Sequence, residues 1–199
     1  MKMDFSNVFK FFSAISPLLL GSLLVLASIL NQDIKGVIYL AGVLLASVLN
    51  IFIMNLIKSP AIPGRSITCD MVEMPFMANN YNSPAFNSMF IAFTIAYLCI
   101  PMFFNDEMNY VLLVTLLGIF ALDAVTKLRG SCTTATGILF GAVLGFIFGS
   151  GWFTLLHFSG SDSLLYFSEL LSNKTVCTRP EKQMFKCNVY KNGELIKQL

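Results

Sequence analysis

The stretch TATGILFGAVLGFIFGSGWFTLLHF, residues 134–158, decides the fold. It is longer than the roughly 20 residues that a helix needs to cross a hydrocarbon layer of about 30 Å. A glycine recurs every fourth residue, which places all of these glycines on one helical face: Gly137, Gly141, Gly145 and Gly149. Because a face without side chains lets a second backbone approach closely, we interpret this stripe as a packing seam between membrane helices rather than as a ligand site.

Four further segments have a similar length and polarity. They are approximately Phe11–Leu30, Ile34–Met54, Ala85–Phe104 and Met108–Leu128. Hydrophobic residues make up 56% of the 199 residues, charged residues make up 12%, and the mean hydropathy is +0.73, which is typical of a membrane protein and not of a soluble domain. The runs are too long and too uniformly apolar for the alternating strands of an outer-membrane barrel. The sequence therefore predicts an all-α fold, a polytopic membrane bundle of about five transmembrane helices.

Two regions follow from this pattern. Residues 1–158 form the predicted bundle, and residues 159–199 form an interfacial segment and a short polar C-terminal tail. Residues 164–171 are too few to span the membrane, so we expect them at its surface. In the tail, Asn192 and Gly193 stand between apolar flanks, a pattern that predicts a small β-hairpin.

Basic residues indicate the orientation of the bundle. If five helices alternate in direction, six basic residues share a face with the N-terminus: Lys2, Lys10, Lys58, Arg65, Lys127 and Arg129. The short loops on the other face hold essentially Lys35, and this excess predicts a cytoplasmic N-terminus and a lumenal or external tail. Two features of the tail are typical of an oxidising compartment. Cys177 and Cys187 are spaced to close a small disulfide loop, and Asn173 begins a glycosylation sequon. Six more basic residues lie in the tail, mostly beyond the range over which the charge rule counts.

Composition argues against several classes of function. A net charge of +2 is too small and too dispersed for a nucleic-acid partner. One histidine and five scattered cysteines supply no ligand set for zinc or iron, so we predict no metal and no cofactor. Few polar residues interrupt the apolar spans, which leaves a channel or transporter path without support.

The loop between the second and third spans contains the first of three motifs. Residues 55–84 exceed what a connection requires and include four prolines, so the loop is expected to have a defined shape. Lys58 and Arg65 stand within it, seven residues apart. The second motif, SPAFNS at residues 83–88, begins the third span, and the third, KLRG at residues 127–130, ends the fourth.

These motifs resemble the signature of the type 2 phosphatidic acid phosphatases, a family that includes dolichyl-diphosphate phosphatases and shares a core with vanadium haloperoxidases. The family pattern is a Lys, six residues and Arg-Pro; a Pro-Ser-Gly-His block at a helix start; and Ser-Arg, five residues, His, three residues and Asp. Here Lys58 is followed after six residues by Arg65, and then by a serine instead of proline. Asn87, followed by Ser88, stands where the family has its acid histidine, and Arg129 follows leucine instead of serine. The resemblance covers about residues 34–158.

The resemblance implies a phosphate site that has lost its catalysis. Lysine and arginine hold the dense negative charge of a phosphate, and donors at a helix start add to the field. Hydrolysis also needs a histidine nucleophile and a carboxylate that orients it, but these positions fall on Ala135 and Leu139. The single histidine, His157, lies 22 residues beyond Ala135, which is roughly 33 Å along a helix. Cys132, close to Arg129, has thin support as a substitute nucleophile.

Asp123 is a carboxylate inside a span, which is costly unless it is paired. Lys127 follows at i+4, so we predict an intrahelical ion pair near the membrane surface. One alternative is an interhelical bond from Asp123 to Arg129, Arg65 or Lys58. Another is that a loop carboxylate, Asp70 or Glu73, neutralises the basic site in place of phosphate.

Together these features predict a catalytically inactive membrane protein of lipid-phosphatase type. We expect Lys58, Arg65 and Arg129 to line a basic pocket near the membrane surface, with Asn87 and Ser88 at the start of the third helix, that binds a phospholipid headgroup or phosphate. The alternative is an active lipid phosphate or isoprenyl-diphosphate phosphatase with divergent motifs.

The expected role is structural. The protein would act as a scaffold in a membrane assembly, in contact with membrane lipids and, through its tail, with other membrane or capsid-type proteins. The tail resembles membrane proteins of large DNA viruses, which makes a virion inner membrane one expected setting.

Overall fold

Five apolar helices make up the bundle. The computed structural model describes residues 5–60, 62–63, 69, 81–106, 108–166, 188–191 and 194–198. Within these ranges, five helices are long and apolar enough to cross a membrane: α1 (Phe5–Leu30), α2 (Lys35–Ile57), α3 (Phe86–Phe104), α4 (Tyr110–Arg129) and α5 (Ala135–Phe158). They indicate a multi-pass membrane protein and confirm the predicted all-α fold.

Polar residues just outside the apolar runs set the ends of two helices. The side chain of Asn109 accepts a hydrogen bond from the backbone N–H of Leu112, which caps α4, and the Thr134 hydroxyl accepts one from the N–H of Gly137, which caps α5. The predicted spans agree with the observed helices because the change from polar to apolar residues coincides with these caps.

α3 is the central helix. Of its span 72% is buried, against 11–33% for each of the other four spans. The hydroxyls of Tyr39 on α2 and Thr94 on α3 hydrogen-bond to each other at 2.7 Å, and the Trp152 indole N–H on α5 donates to the Ile38 carbonyl at 3.2 Å. These bonds join α2 to both α3 and α5, so the other helices surround α3.

The glycine stripe of α5 packs against the backbone of α3, and the two helices share the most extensive interface in the bundle. A Cβ atom added to any of three glycines would overlap a carbonyl of the α3 segment: Ala85 for Gly141, Met89 for Gly145 and Phe93 for Gly149. At the start of the seam, the Ala85 N–H donates directly to the Gly137 carbonyl at 3.0 Å. The predicted packing seam is confirmed.

The loops at one end of the bundle are linked to one another. The Asn82 N–H donates to the Ser59 carbonyl at 2.9 Å, and the Thr133 hydroxyl donates to the Asn82 carbonyl at 2.8 Å. A disulfide joins Cys69 of the long loop to Cys132 of the α4–α5 turn. We call this end, where α1 begins and α4 ends, the cystine face.

The opposite end, from which the chain continues into the tail, we call the tail face. There a 3₁₀ turn, Asp162–Leu164, follows α5, and the Tyr166 hydroxyl donates to the Leu24 carbonyl of α1. Further along the chain, two antiparallel strands, β1 (Asn188–Lys191) and β2 (Glu194–Gln198), lie where the hairpin is predicted.

Because Gly145 contacts the α3 backbone, we expect Gly145→Ala to destabilise the protein by about 1–3 kcal/mol through overpacking. Gly118→Ala in α4 is the matched control, because a Cβ there meets no atom within 4 Å. It should leave stability unchanged or raise it by up to about 1 kcal/mol through helix propensity. Thermal unfolding of both variants in detergent measures the difference, and equal melting temperatures would contradict the seam.

Candidate functional site

A fully buried carboxylate lies at the junction of α1, α3 and α4. Asp123 Oδ1 accepts hydrogen bonds from the Ser13 hydroxyl at 2.9 Å and from the Asn87 amide at 3.2 Å. Its Oδ2 lies 3.7 Å from Lys127 Nζ, one turn further along α4, so the predicted intrahelical ion pair is confirmed. The carboxylate thus has one cation and two neutral donors, contributed by three helices.

Each donor has a local reason to face Asp123. Ser13 is a small residue on the buried side of α1, so its hydroxyl can approach α4 closely. Asn87 lies in the first turn of α3, and its amide also donates to the Ser13 carbonyl at 3.3 Å. Since a buried charge without partners is very costly, these contacts favour one register of α1 against α4. We call Ser13, Asn87, Asp123 and Lys127 the Asp123 network.

A small polar cavity adjoins this network. Its volume is about 50 Å³. Two lysines, four small or polar residues and both cysteines of the disulfide line it: Lys10, Lys127, Ser13, Ala14, Thr126, Asn87, Cys69 and Cys132. A water molecule needs roughly 10–15 Å³ by the same kind of measure, so the cavity holds a few water-sized groups.

The depth of the two lysines follows from the helix register. The Ser13–Asp123 hydrogen bond places these two residues at one level of the antiparallel helices α1 and α4. Lys10 precedes Ser13 by three residues and Lys127 follows Asp123 by four, so both lysines are about 5 Å nearer the cystine face. The cavity therefore has Lys10 and Lys127 at its outer level, and Ser13 and Asn87, the two neutral donors to Asp123, at its inner level.

A second depression lies beside the cavity, along α1 and α4. It has a volume of about 310 Å³, and its lining combines apolar side chains with two basic residues: Phe9, Leu122, Val125, Thr126, Lys10 and Arg129. Lys10 and Thr126 line both spaces. We call this second space the α1–α4 groove.

The sequence-predicted binding residues do not all lie together. Asn87 lines the polar cavity and Arg129 lines the groove. Lys58 is exposed at the end of α2, in a left-handed conformation with φ 50°, and lines neither space. Ser88 is fully buried, and its hydroxyl has no hydrogen-bond partner among the residues that the structure describes. Arg65 lies outside the described residues.

The positions that the resemblance assigns to the catalytic machinery lie elsewhere. Ala135 and Leu139 share an exposed face of α5 and line neither the cavity nor the groove. His157 is exposed in the last turn of α5, at the tail face, where its Nδ1 lies 2.7 Å from Asp162 Oδ1. Among the residues that the structure describes, no group of three or more His, Cys, Asp or Glu side chains could hold a metal ion.

Sequence reasoning missed Lys10, Ser13 and the disulfide. Cys69 and Cys132 fall in two segments that alternation of the helices assigns to one membrane face, and this shared face was the available signal. Because the sulfur of Cys132 is bonded to Cys69, it has no thiolate with which to attack a phosphate. The predicted disulfide partners Cys177 and Cys187, and the sequon residue Asn173, lie outside the described residues.

Comparisons of this chain with protein-family models, with curated proteins and with solved structures found no match. The resemblance to lipid phosphatases therefore stays a prediction that depends on the quoted motifs.

We expect Asp123→Ala to destabilise the protein by about 3 kcal/mol, because it leaves Lys127 and two donors without their acceptor. Asp123→Asn removes the charge but keeps a hydrogen-bond acceptor, so its cost should be smaller. Adding Lys127→Met to Asp123→Ala should recover part of the loss, since the uncompensated cation is then gone. Thermal unfolding of the single and double variants tests the pairing, and strictly additive losses would contradict it.

Proposed function

We propose that the protein is a non-catalytic membrane protein that binds an anionic phospholipid at the polar cavity and the α1–α4 groove, and that it acts as a structural element of a membrane assembly. One observation carries the proposal: Lys10 and Lys127 line a polar cavity at the cystine face, and Lys10 and Arg129 line the apolar groove that adjoins it.

The two adjoining spaces match the two parts of a phospholipid. The cavity offers the ammonium groups of Lys10 and Lys127, which are donors suited to phosphate oxygens. The groove offers Phe9, Leu122 and Val125, which are suited to the start of an acyl chain. Because the basic residues adjoin an apolar groove, the arrangement favours a lipid over a wholly water-soluble ligand.

The charges around the site favour an anion. Among the described residues of the site, Lys10, Lys127 and Arg129 contribute three positive charges and Asp123 contributes one negative charge, a balance of +2. The loop carboxylates Asp70 and Glu73 lie outside the described residues. Each basic residue near a membrane surface contributes roughly 1 kcal/mol to the attraction of anionic lipid. Asp123 neutralises part of Lys127, and we therefore expect Lys10 and Arg129 to contribute most.

The same residues support binding and not hydrolysis. The chain has one histidine, and it lies at the tail face. Asn87, at the position that the resemblance gives to the leaving-group acid, has no proton to give at neutral pH and donates both to Asp123 and to the Ser13 carbonyl. A basic site without a nucleophile or an acid retains lipids and does not cut them.

The proposed structural role includes partners and a setting. The C-terminal hairpin offers a surface for other membrane or capsid-type proteins, and a virion inner membrane is the setting that the likeness of the tail suggests. These proposals rest on that likeness and on the hairpin strands.

The lipid site predicts a selective loss of binding. We expect Lys10→Gln and Arg129→Gln each to weaken retention of phosphatidylglycerol about fivefold, because each removes roughly 1 kcal/mol of attraction. The measurement is titration of phosphatidylglycerol into phosphatidylcholine nanodiscs that contain the protein, with native mass spectrometry of the bound lipid.

Matched variants and a competitor separate the alternatives. Lys35→Gln at the tail face should leave retention unchanged, whereas Lys58→Gln lowers it only if the sequence-predicted pocket binds the lipid. Displacement by millimolar inorganic phosphate would identify a phosphate site instead of a lipid site. Release of phosphate from phosphatidic acid or isoprenyl diphosphate, abolished by Arg129→Gln, would replace the proposal by an active phosphatase.

The disulfide bears on membrane sidedness. Cys69 and Cys132 lie on the face that the charge bias assigns to the cytoplasm, but disulfides persist mainly in oxidising compartments. We therefore propose the opposite orientation, with the cystine face lumenal or external and the tail cytoplasmic.

This orientation predicts a pattern of modification. If only the cystine face meets an oxidising compartment, Cys69 and Cys132 are bonded, Cys177 and Cys187 stay thiols, and Asn173 carries no glycan. Peptide mapping without reductant, after alkylation of free thiols in intact membranes, measures all three. A glycan on Asn173 together with a Cys177–Cys187 bond would restore the orientation that the charge rule predicts.

A further inference from the structure

A third space lies on the opposite face of α4, between α4 and α5. It has a volume of about 410 Å³, and every residue that lines it is apolar. α3 forms its floor, and side chains of α4 and α5 form its two walls, among them Ala92 and Ile95 on the floor, Leu117 and Phe120 on one wall, and Ala142 and Phe146 on the other. We call this space the α4–α5 cleft.

The cleft lies near the middle of the membrane. Phe120 and Leu117 precede the end of α4 by nine and twelve residues, and Ala142 and Phe146 follow the start of α5 by seven and eleven. At 1.5 Å per residue, these positions are roughly 10–18 Å from the helix ends at the cystine face. The centre of a hydrocarbon layer of about 30 Å is about 15 Å from its surface. The medium that meets the cleft therefore consists of lipid acyl chains, and not of water or headgroups.

The size and shape of the cleft suit a single chain better than a helix. Five residues, 130–134, join α4 to α5, so the two helices are close neighbours at the cystine face. The axes of neighbouring helices are about 8–10 Å apart, and a further helix, which is about 10–12 Å thick, is too wide to enter between them. A methylene group is close to water in size, and a water-sized group needs roughly 10–15 Å³, so the cleft has room for a whole chain of methylene groups.

The middle of α4 has few protein contacts on this side. Only 11% of the α4 span is buried, and α4 has little direct contact with α5. The Asp123 network holds α4 at a level three residues nearer the cystine face than Phe120. Because an empty space beside a helix deprives the atoms that line it of dispersion contacts, a chain in the cleft supplies contacts that α5 does not.

From these observations we infer that the α4–α5 cleft is a binding site for one acyl chain of a membrane lipid, which packs between α3, α4 and α5 as a structural chain. The inference concerns the chain and not the headgroup, so it is independent of the anionic-lipid site on the opposite face of α4. A chain held on three sides exchanges more slowly than one that meets a single helix. This difference distinguishes the cleft from the rest of the lipid-facing surface.

Photolabelling tests the site. The probe is a phosphatidylcholine with a diazirine in the middle of one acyl chain, present at a trace fraction in phosphatidylcholine nanodiscs that contain the full chain. After illumination, peptide mapping by mass spectrometry locates the labelled residues. We expect Leu117, Phe120 and Phe146 to take up about fivefold more label than Leu44 and Val48, which are exposed on α2 at a similar depth.

A matched pair of variants either fills the cleft or leaves it open. Ala142→Leu replaces a methyl group on the cleft wall by an isobutyl group and should reduce labelling of the cleft about fivefold. Ala41→Leu makes the same change at an exposed position of α2, outside the cleft, and should leave the labelling unchanged. Should Ala142→Leu fail to fold, the labelling pattern of the unaltered chain decides alone.

A further variant separates this inference from the proposed function. Lys10→Gln should weaken retention of phosphatidylglycerol and leave labelling of the cleft unchanged, so either site can fail without the other. Three results would overturn the inference. Equal labelling of the cleft and of Leu44 and Val48 would show ordinary surface lipid. Displacement of the label by cholesterol and not by phosphatidylcholine would assign the cleft to a sterol. An unlabelled cleft in a protein that is dimeric by native mass spectrometry would assign it to a helix of a second copy.

Discussion

The close approach of α5 to α3 is the constraint on which the rest of the structure depends. Glycines at every fourth position remove the side chains that would otherwise separate the two backbones, and the α3 carbonyls occupy that space. Because the apolar effect that drives packing in water is weak between helices in lipid, such contacts supply much of the attraction. The seam also aligns the starts of α3 and α5, through the hydrogen bond from Ala85 to Gly137.

That alignment determines where the polar residues meet. With the start of α5 held beside α3, the α4–α5 turn brings Cys132 towards the long loop and places the end of α4 near Asn87. α4 buries only 11% of its span, so its position depends strongly on Asp123 and the donors around it. One buried charge therefore positions a helix and, at the same time, brings Lys127 and Arg129 to the cavity and the groove.

The sequence predicts the fold closely and the site only in part. The spans, the glycine seam and the Asp123–Lys127 pair follow from periodicity and spacing, which are local properties of the chain. Ser13 and Lys10 could not be identified in this way. A serine and a lysine near a helix start can be recognised as site residues only once α1 is known to lie against α4. The residues of the three motifs do not all lie in one pocket for the same reason. Lys58 and Arg129 stand at the ends of different helices, and the packing around each helix end determines where its side chain lies.

The distances along the chain between the bonded residues have a consequence for biosynthesis. Ser13 and Asn87 precede Asp123 by 110 and 36 residues, so both partners have left the ribosome before the carboxylate of α4 has to enter lipid. Cys69 precedes Cys132 by 63 residues, so its bonding partner is synthesised only after the fourth helix. The covalent link can therefore form only after the first four helices have been synthesised, so its presence in a chain shows that translation has passed the turn between α4 and α5.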